Sequence, residues 1–508
     1  MPLHSTLTTT TYTYKNRNTH AKKISCTQRN IKVNIRLFRT FIRIFAEEST
    51  NTMENLFDIA IIGGGPGGYV AAEKAGKSGL KVILFEKKDL GGVCLNEGCI
   101  PTKTLLYSAK LYDQARKGDK YGIRIEGAEA DYKKMTDRKT KVIRKLVAGV
   151  GLRMKNADVQ VVKAAAMIEG RTPEGIIRIT AADESYLTKN LLICTGSETF
   201  IPPIEGLDMS ANEAIVTNRE LLAMKELPSS LTIIGGGVIG MEFASLYNSL
   251  GCEVHVIEML PEILGSLDKE ISAMLRAQYT KRGIHFHLSC KVTRVNDHDV
   301  TFVDAEGAES TITSGKILVS VGRRPSTQGF GLDTLGVALE RGGIKVDEKM
   351  RTNIEGVYAA GDVTGFSLLA HTASREAEVV INNLCGHDDT MHYDAIPGIV
   401  YTNPEVAGVG VTEEEAQKRG IEYTCTKLPM AYSGRFVAEN EGGEGLCKVI
   451  TDKASNRVIG VHMLGNPCSE IISSACIAIE QGMTLRQLER VVFPHPTVAE
   501  IFKETISL

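Results

Sequence analysis

The sequence predicts an α/β fold with two Rossmann-like units. A short apolar, β-branched run leads into a glycine-rich turn, a helix-compatible run, a second strand and an acid, and this whole succession occurs twice. Both copies hold first glycine and acid at the same spacing, Gly63 to Glu86 and Gly235 to Glu258. The rest is of ordinary globular composition, with 43% hydrophobic and 24% charged residues.

In the first copy, residues 57–62 (FDIAII) read as a short buried strand, mostly apolar and β-branched. Gly63-Gly64-Gly65-Pro66-Gly67-Gly68 follows at once, then a helical run over 69–78. Gly63, Gly65 and Gly68 satisfy GxGxxG. The first glycine makes the tight turn, the second lets a pyrophosphate touch the backbone, and the third lets helix pack on strand. The helix N-terminus then faces the phosphates. A strand over 81–85 ends in Glu86, an acid placed to bind ribose hydroxyls.

The second copy runs from a strand over 231–234, through Gly235, Gly237 and Gly240, to a helix over 241–250. A strand over 253–257 then ends in Glu258. One GxGxxG is a weak signal, but two in full context predict two bound dinucleotides. A carboxylate at Glu258 suits the free 2′-hydroxyl of NAD and repels a 2′-phosphate. No arginine lies between Glu258 and Arg276, so NAD is expected rather than NADP.

Eleven cysteines in 508 residues, mostly scattered singly, do not form a secreted disulfide framework. One pair stands out. In Gly91-Gly92-Val93-Cys94-Leu95-Asn96-Glu97-Gly98-Cys99 the separation lets a helical turn bring both sulfurs together. A thiolate near a helix N-terminus has a lowered pKa and is reactive. Gly91 and Gly92 are expected to relieve crowding against a flat cofactor. Two buried thiols, or half of a zinc site, are the other readings; no second Cys/His pair sits at ligand spacing nearby. His285 and His287 sit at strand spacing on one face. A metal pair is possible there, but an exposed strand is the preferred reading, and no metal site is expected.

The run GGVCLNEGCIPTK resembles the redox-active motif of the pyridine nucleotide–disulfide oxidoreductases. Further motifs recur in that family's order over nearly all of the chain from Met53, and the likeness is greatest to the branch that oxidises dihydrolipoamide. The resemblance implies FAD on the first unit, NAD on the second and a redox disulfide between Cys94 and Cys99. ICTGS, with Thr195, Gly196 and Ser197, is similar to the crossing between domains. SVGRRP, with Gly322, is similar to the close of the NAD domain. YAAGDVTG resembles the second flavin motif, whose acid, here Asp362, binds the ribityl chain. Leu368, Leu369, Ala370 and His371 resemble the segment under the flavin ring. Lys103 matches a lysine near flavin N5, and Glu242 its acidic partner. Ala166 stands where relatives touch the adenine through backbone. HPTVAE, with His495 and Glu500, resembles the C-terminal catalytic motif, whose histidine acts in the partner subunit of a homodimer.

The resemblance divides the chain into an FAD domain over 54–200 and 325–395, an NAD domain over 201–324 and an α+β dimerisation domain over 396–508. In the implied reaction a dihydrolipoamide thiol attacks Cys94, His495 takes its proton, and Cys99 is released beside the flavin. Electrons then pass through FAD to NAD⁺. The implied partner is a lipoyl-bearing acyltransferase or a glycine cleavage carrier protein. Alternatives are a related disulfide or mercuric reductase, or chiefly a docking subunit of a 2-oxoacid dehydrogenase complex. The C-terminus lacks the cysteine pair of mercuric reductases. Cys194 stands where Ala is common, Phe493-Pro494 where His-Ala is frequent, and Glu97 where Val is frequent. Glu97 is expected to put a negative charge near the thiols and raise their pKa. The other nine cysteines are expected to be inert, and His462 to be structural.

Residues 1–52 stand apart. Up to Ala46 there are nine Lys or Arg and no Asp or Glu, with many hydroxyl residues. A transit peptide fits this pattern; a spurious extension upstream of Met53 is preferred. Disorder is expected there, with a cytoplasmic location, or the mitochondrial matrix on the first reading. The net charge of −2 implies no nucleic-acid partner, and no apolar run approaches the length of a membrane helix.

Overall fold

The computed structural model describes residues 56–265 and 267–508. The expectations for residues 1–52, including Cys26, lie outside them. The first glycine-rich unit folds as β1 (Leu56–Ile62), α1 (Pro66–Lys77) and β2 (Val82–Phe85). β1 and β2 pair in parallel, with Ile59 opposite Val82 and Ile62 opposite Phe85. α1 begins three residues before the expected 69, because proline, which lacks an N–H, is suited to the first helical position. Helices α2 (Gly92–Glu97), α3 (Cys99–Arg116) and α4 (Tyr132–Asn156) follow.

β3 (Gln160–Val162), β4 (Met167–Arg171), β5 (Ile177–Ala181) and β6 (Glu184–Ile193) extend this sheet in the order β3-β2-β1-β6-β5-β4. β7 (Ser197–Thr199) then leaves it. The second unit comprises β8 (Ile215–Val216), α5 (Asn218–Ala223), β9 (Ser230–Ile234), α6 (Val238–Ser249), β10 (Glu253–Ile257), α7 (Lys269–Lys281) and β11 (His285–His287). An antiparallel ribbon β12 (Lys291–Asn296), β13 (Asp299–Val303) and β14 (Glu309–Thr313) precedes β15 (Lys316–Val319). The five strands β11-β10-β9-β15-β8 are all parallel; the edge strand β11 is partly exposed, whereas β9, β15 and β8 are largely apolar and buried. Such continuous apolar runs mark strands covered on both faces.

β16 (Arg323–Pro325) pairs antiparallel with β7, so the two crossings between units lie side by side. After a small ribbon, β17 (Leu339–Glu340) and β18 (Gly343–Ile344), the strand β19 (Val357–Ala359) pairs in parallel with β6. It is the seventh strand of the first sheet, and α8 (Ala370–Leu384) packs beside α1. The second unit is thus inserted into the first.

The C-terminal part is a five-stranded antiparallel sheet ordered β20 (Gly398–Val400), β21 (Val406–Gly410), β24 (Val458–Leu464), β23 (Leu446–Asp452) and β22 (Tyr423–Pro429). α9 (Glu413–Lys418), α10 (Gly434–Glu439), α11 (Cys468–Glu480), α12 (Leu485–Leu488) and α13 (Glu500–Ile506) accompany it. One charge ties this sheet to the second unit. Lys448 on β23 is 1% exposed and contacts Asp268 at 2.7 Å, Glu413 at 2.7 Å and Glu270 at 3.0 Å. Burial disfavours its ammonium, but the carboxylates outweigh burial and raise its pKa. Asp268 is also buried and caps α7 by accepting from the Ile271 N–H.

Replacing Lys448 by Ala should strand Asp268 as a buried, unpaired charge and cost about 3–5 kcal/mol. Replacing the more exposed Lys427, which contacts Glu270 and Glu413, should cost about 0–1 kcal/mol. Denaturant unfolding of the two variants checks the contrast.

Candidate redox site

The two glycine-rich loops repeat one geometry. A Cβ on Gly68 would lie 1.8 Å from the Gly63 oxygen, and one on Gly240 would lie 2.1 Å from the Gly235 oxygen. These are the close helix-to-strand contacts expected of the third glycine. The first glycines, Gly63 and Gly235, have φ of +104° and +105°, the left-handed turn that a side chain resists. The middle glycine is open instead. Nothing stands within 4 Å of a Cβ on Gly237, and only the Gly92 Cα, at 3.8 Å, stands near one on Gly65. Neither helix has a side-chain cap at its N-terminus. Both loops therefore keep room and N–H groups for a pyrophosphate.

The two acids are held alike. Glu86 accepts from the Gly64 N–H at 2.8 Å and the Lys88 N–H at 2.7 Å. Glu258 accepts from the Gly236 N–H at 2.7 Å and the Leu260 N–H at 2.8 Å. Each carboxylate is oriented by backbone and keeps lone pairs for ribose hydroxyls. Arg276 is held by Glu262 at 2.8 and 2.9 Å. Ala166 is buried just before β4, four residues past Val162, whose carbonyl accepts from the Glu86 N–H.

Cys94 and Cys99 form a disulfide, with Cα atoms 4.7 Å apart. They do not share a helical turn. Gly98, at φ −143° and ψ −104°, breaks the chain between α2 and α3, so Cys94 sits inside α2 and Cys99 opens α3. The helix N-terminus expected beside a reactive thiolate is that of α3. Gly91 and Gly92 pack against the first glycine loop. A Cβ on Gly92 would meet the Gly65 Cα at 2.7 Å, and the Gly91 N–H donates to the Gly64 oxygen at 2.8 Å. Their glycines let the disulfide loop lie directly on the first glycine loop.

One turn beyond Cys99, Lys103 meets Glu242 of α6 at 2.9 and 2.8 Å. Glu242 is 4% exposed and also accepts from the Tyr401 N–H at 3.1 Å. The Lys103 ammonium lies 4.6 Å from the centre of the Tyr401 ring.

Glu97 is not a bare charge beside the sulfurs. Its carboxylate contacts Lys88 at 3.2 Å and the Arg219 guanidinium, and its carbonyl accepts from the Asn218 side chain. These partners counter its charge and tie α2 to the start of α5.

Three separated motifs converge on Asp362. The Ser197 hydroxyl donates to its carboxylate, and Arg323 donates to the Ser197 hydroxyl at 2.7 Å and carbonyl at 2.6 Å. Burial raises the Asp362 pKa, against the Ser197 hydrogen bond and the Arg323 charge. Thr195 donates to the Ser326 carbonyl at 2.7 Å, and the Ser326 N–H to Gly196 at 2.9 Å. Gly322 has φ +129°, and its carbonyl accepts from the Phe200 N–H at 3.0 Å. Leu368 and Leu369 lead into α8, which opens at Ala370, and the next residue, His371, contacts the Pro397 carbonyl through Nε2 at 3.0 Å.

Beneath this cluster lies a residue the sequence did not single out. Glu376 is fully buried, accepts from the Gly361 N–H at 2.6 Å and the Tyr393 hydroxyl at 2.7 Å, and is pushed up to about 7 by burial. Burial also pushes the neighbouring Cys194 thiol up, and those of Cys252 and Cys447 to about 12. Such thiols stay protonated. His462 is buried and contacts the Val411 carbonyl at 2.9 Å.

In the C-terminal part, His495 contacts Glu500 through Nδ1 at 2.9 Å, and Glu500 accepts from the Thr497 N–H at 2.8 Å. The Thr497 bond first, and then His495, lower the Glu500 pKa. The His495 side chain is 80% exposed. The imidazole, with its Nδ1 fixed by Glu500, is presented outward.

Residues 57–377 match the pyridine nucleotide-disulphide oxidoreductase family, and residues 396–506 match that family's dimerisation domain. The chain belongs to the pyridine nucleotide-disulphide oxidoreductases. It is 37% identical to a mitochondrial dihydrolipoyl dehydrogenase of Dictyostelium discoideum, over 91% of this chain and 96% of that one. Identity to the dihydrolipoyl dehydrogenase of Bacillus subtilis is also 37%, over 88% of this chain and 95% of the relative. Among solved oxidoreductase structures, LpdA of Mycobacterium tuberculosis superposes with a TM-score of 0.81 at 25% identity, covering 88% of this chain and 98% of that one. The flavoprotein disulfide reductase RclA of Escherichia coli gives 0.77 at 26%, covering 89% and 99%.

Two measurements follow from this oxidoreductase site. Glu376 binds its proton more tightly in the folded chain than in the unfolded one. Its stabilising contribution is therefore full below about pH 4.5 and lost as pH rises through about 7. Glu376→Gln should flatten that decline, by on the order of 3 kcal/mol, in unfolding midpoints taken across this range. Arg219→Met should leave the Glu97 charge partly uncompensated. The pH midpoint for alkylating the reduced thiols should then rise by about one unit or less.

Proposed function

We propose that this chain oxidises protein-bound dihydrolipoamide to lipoamide through the Cys94–Cys99 disulfide, using FAD on the first unit and NAD⁺ on the second. The observation that carries the reading is the closed disulfide at the start of α3, one turn from the Lys103–Glu242 pair that joins the two nucleotide units. The 37% identity to dihydrolipoyl dehydrogenases over most of both chains supports the substrate.

Residues fit both cofactors. The loop at Gly63, Gly65 and Gly68 with Glu86 would hold the FAD pyrophosphate and ribose, and Asp362, set by Ser197 and Arg323, would hold its ribityl chain. Gly235, Gly237, Gly240 and Glu258 would hold NAD. When bound, the flavin and nicotinamide supply the two-electron redox chemistry that carries reducing equivalents from the dithiol to NAD⁺.

The protein's own steps are thiol exchange and proton handling. A substrate thiolate attacks the Cys94 sulfur, the Cys94–Cys99 bond breaks, and Cys99 leaves as a thiolate favoured by the α3 N-terminus. The second substrate thiol then attacks the mixed disulfide and releases Cys94, closing the lipoamide ring. Nε2 of His495 of the partner subunit takes the thiol proton, with its ring set by Glu500. Lys103, fixed by Glu242, holds a positive charge one turn from Cys99.

The homodimer assigns His495 to the other subunit. It is supported by the dimerisation-domain match and by the outward face of this part, where Ile477 is 62% and Val492 90% exposed. The proposed division is into segments 54–200, 201–324, 325–395 and 396–508, and the changes of sheet along the chain support it. The lipoyl-bearing partner is an acyltransferase core or a glycine cleavage carrier, and the proposed location is cytoplasmic. Among the described residues no helix is long and apolar enough to cross a membrane.

Steady-state assay of NADH formation from dihydrolipoamide tests the reading. Cys94→Ser should abolish turnover, and His495→Ala should lower kcat by about 10²–10⁴. Retained activity in Cys94→Ser, or a strong preference for NADP⁺ over NAD⁺, would refute it.

A further inference from the structure

Three histidines and a glutamate with no part in the redox site meet at the outer edge of the second sheet. β10 and β11 pair in parallel, with His255 opposite His285 and Ile257 opposite His287. Residues two apart share a face, so Glu253 and His255 of one strand lie beside His285 and His287 of the other. The His255 ring stacks on His285 at 4.6 Å between centres, and lies 5.6 Å from His287. Among the described residues, Glu253, His255 and His285 form a cluster whose ligand atoms all lie within 4.8 Å of one another.

The two nitrogens of His255 have different neighbours. Nε2 is 3.3 Å from Glu253 Oε1, and Nδ1 is 3.3 Å from His287 Nε2. With the proton on Nδ1, donated to His287, the His255 Nε2 lone pair points into the cluster. A histidine ligand whose remote nitrogen is fixed by another group is the usual arrangement at metal sites.

We propose that Glu253, His255 and His285 bind a borderline divalent transition-metal ion of the Zn²⁺ class, with His287 as a positioning residue. Two imidazoles and one carboxylate suit such an ion, with water completing a tetrahedron, whereas Mg²⁺ and Ca²⁺ take oxygen ligands. Ligands around zinc stand about 3.3–3.5 Å apart. Glu253 and His285 are exposed side chains, and their rotation closes the remaining gap. The ion would cross-link the edge strand β11 to β10. That edge is the one from which the nucleotide acid projects, since the Glu258 N–H donates to the His287 carbonyl at 2.8 Å.

The test is equilibrium dialysis of the flavin-loaded full chain against micromolar Zn²⁺, with the Cys94–Cys99 disulfide kept closed so that it offers no thiolates. The wild type should bind one equivalent per chain more than the Glu253→Gln/His285→Ala double variant. His255→Ala should lose the same equivalent. His287→Ala should keep it with about 10–100-fold weaker affinity. Bound-flavin absorbance verifies that each variant is folded, and the exposed Glu253→Gln change alone provides a conservative second variant. Equal binding by wild type and double variant, or no saturable binding by the wild type, overturns the site. Unchanged affinity in His287→Ala removes the positioning role.

Discussion

Lys103 and Glu242 come from opposite halves of the oxidoreductase core, and two short contacts join them. Lys103 lies one turn past Cys99, and Glu242 lies in the helix that follows the second glycine loop. A third segment joins them through the Tyr401 N–H. Disulfide, first nucleotide loop and second nucleotide loop are therefore positioned by one charged contact. Glu242 is almost wholly buried while Lys103 remains about a third exposed, so the pair is worth less than a fully buried one and more than a surface one. Its main effect is geometric. It fixes the start of α3, and with it Cys99, against α6.

The same economy of charge recurs around the site. Glu97 is paired with Lys88 and Arg219, and Asp362 accepts from Ser197 and faces Arg323 at 3.9 Å. Both clusters bridge segments far apart in sequence. The negative charge between the cysteines braces α2 against α5. The disulfide loop is further pinned by glycine contacts, since Gly92 packs on Gly65 with no space for a side chain. Disulfide loop, flavin loop and nucleotide loop form one packed assembly, and His495 with its partner Glu500 stands outside it.

Much of this was legible in the sequence because it is local. Both glycine fingerprints, their acids and the base with its orienting acid are short-range patterns, and they fold as local rules dictate. The break at Gly98 was not legible, because the residues around it do not mark where one helix stops and the next begins. The partners of Glu97 lie 9 and 122 residues away, and no periodicity links them. Glu376 sits on a helix whose apolar face gives no hint that a carboxyl is buried there. His255 is an unremarkable strand residue until the parallel register of β10 and β11 sets it opposite His285. Cross-strand register and long-range charge pairing are tertiary facts that a linear pattern does not carry.

The account rests on Cys94 and Cys99 being the thiols that pass reducing equivalents between dihydrolipoamide and NAD⁺. The direct measurement is alkylation mapping of the flavin-loaded enzyme after one equivalent of dihydrolipoamide, with and without a following excess of NAD⁺. Dihydrolipoamide alone should expose Cys94 and Cys99 to alkylation, and NAD⁺ added after it, before the alkylating agent, should restore their protection. Labelling of other cysteines in their place, or thiols that stay open after NAD⁺, would contradict it.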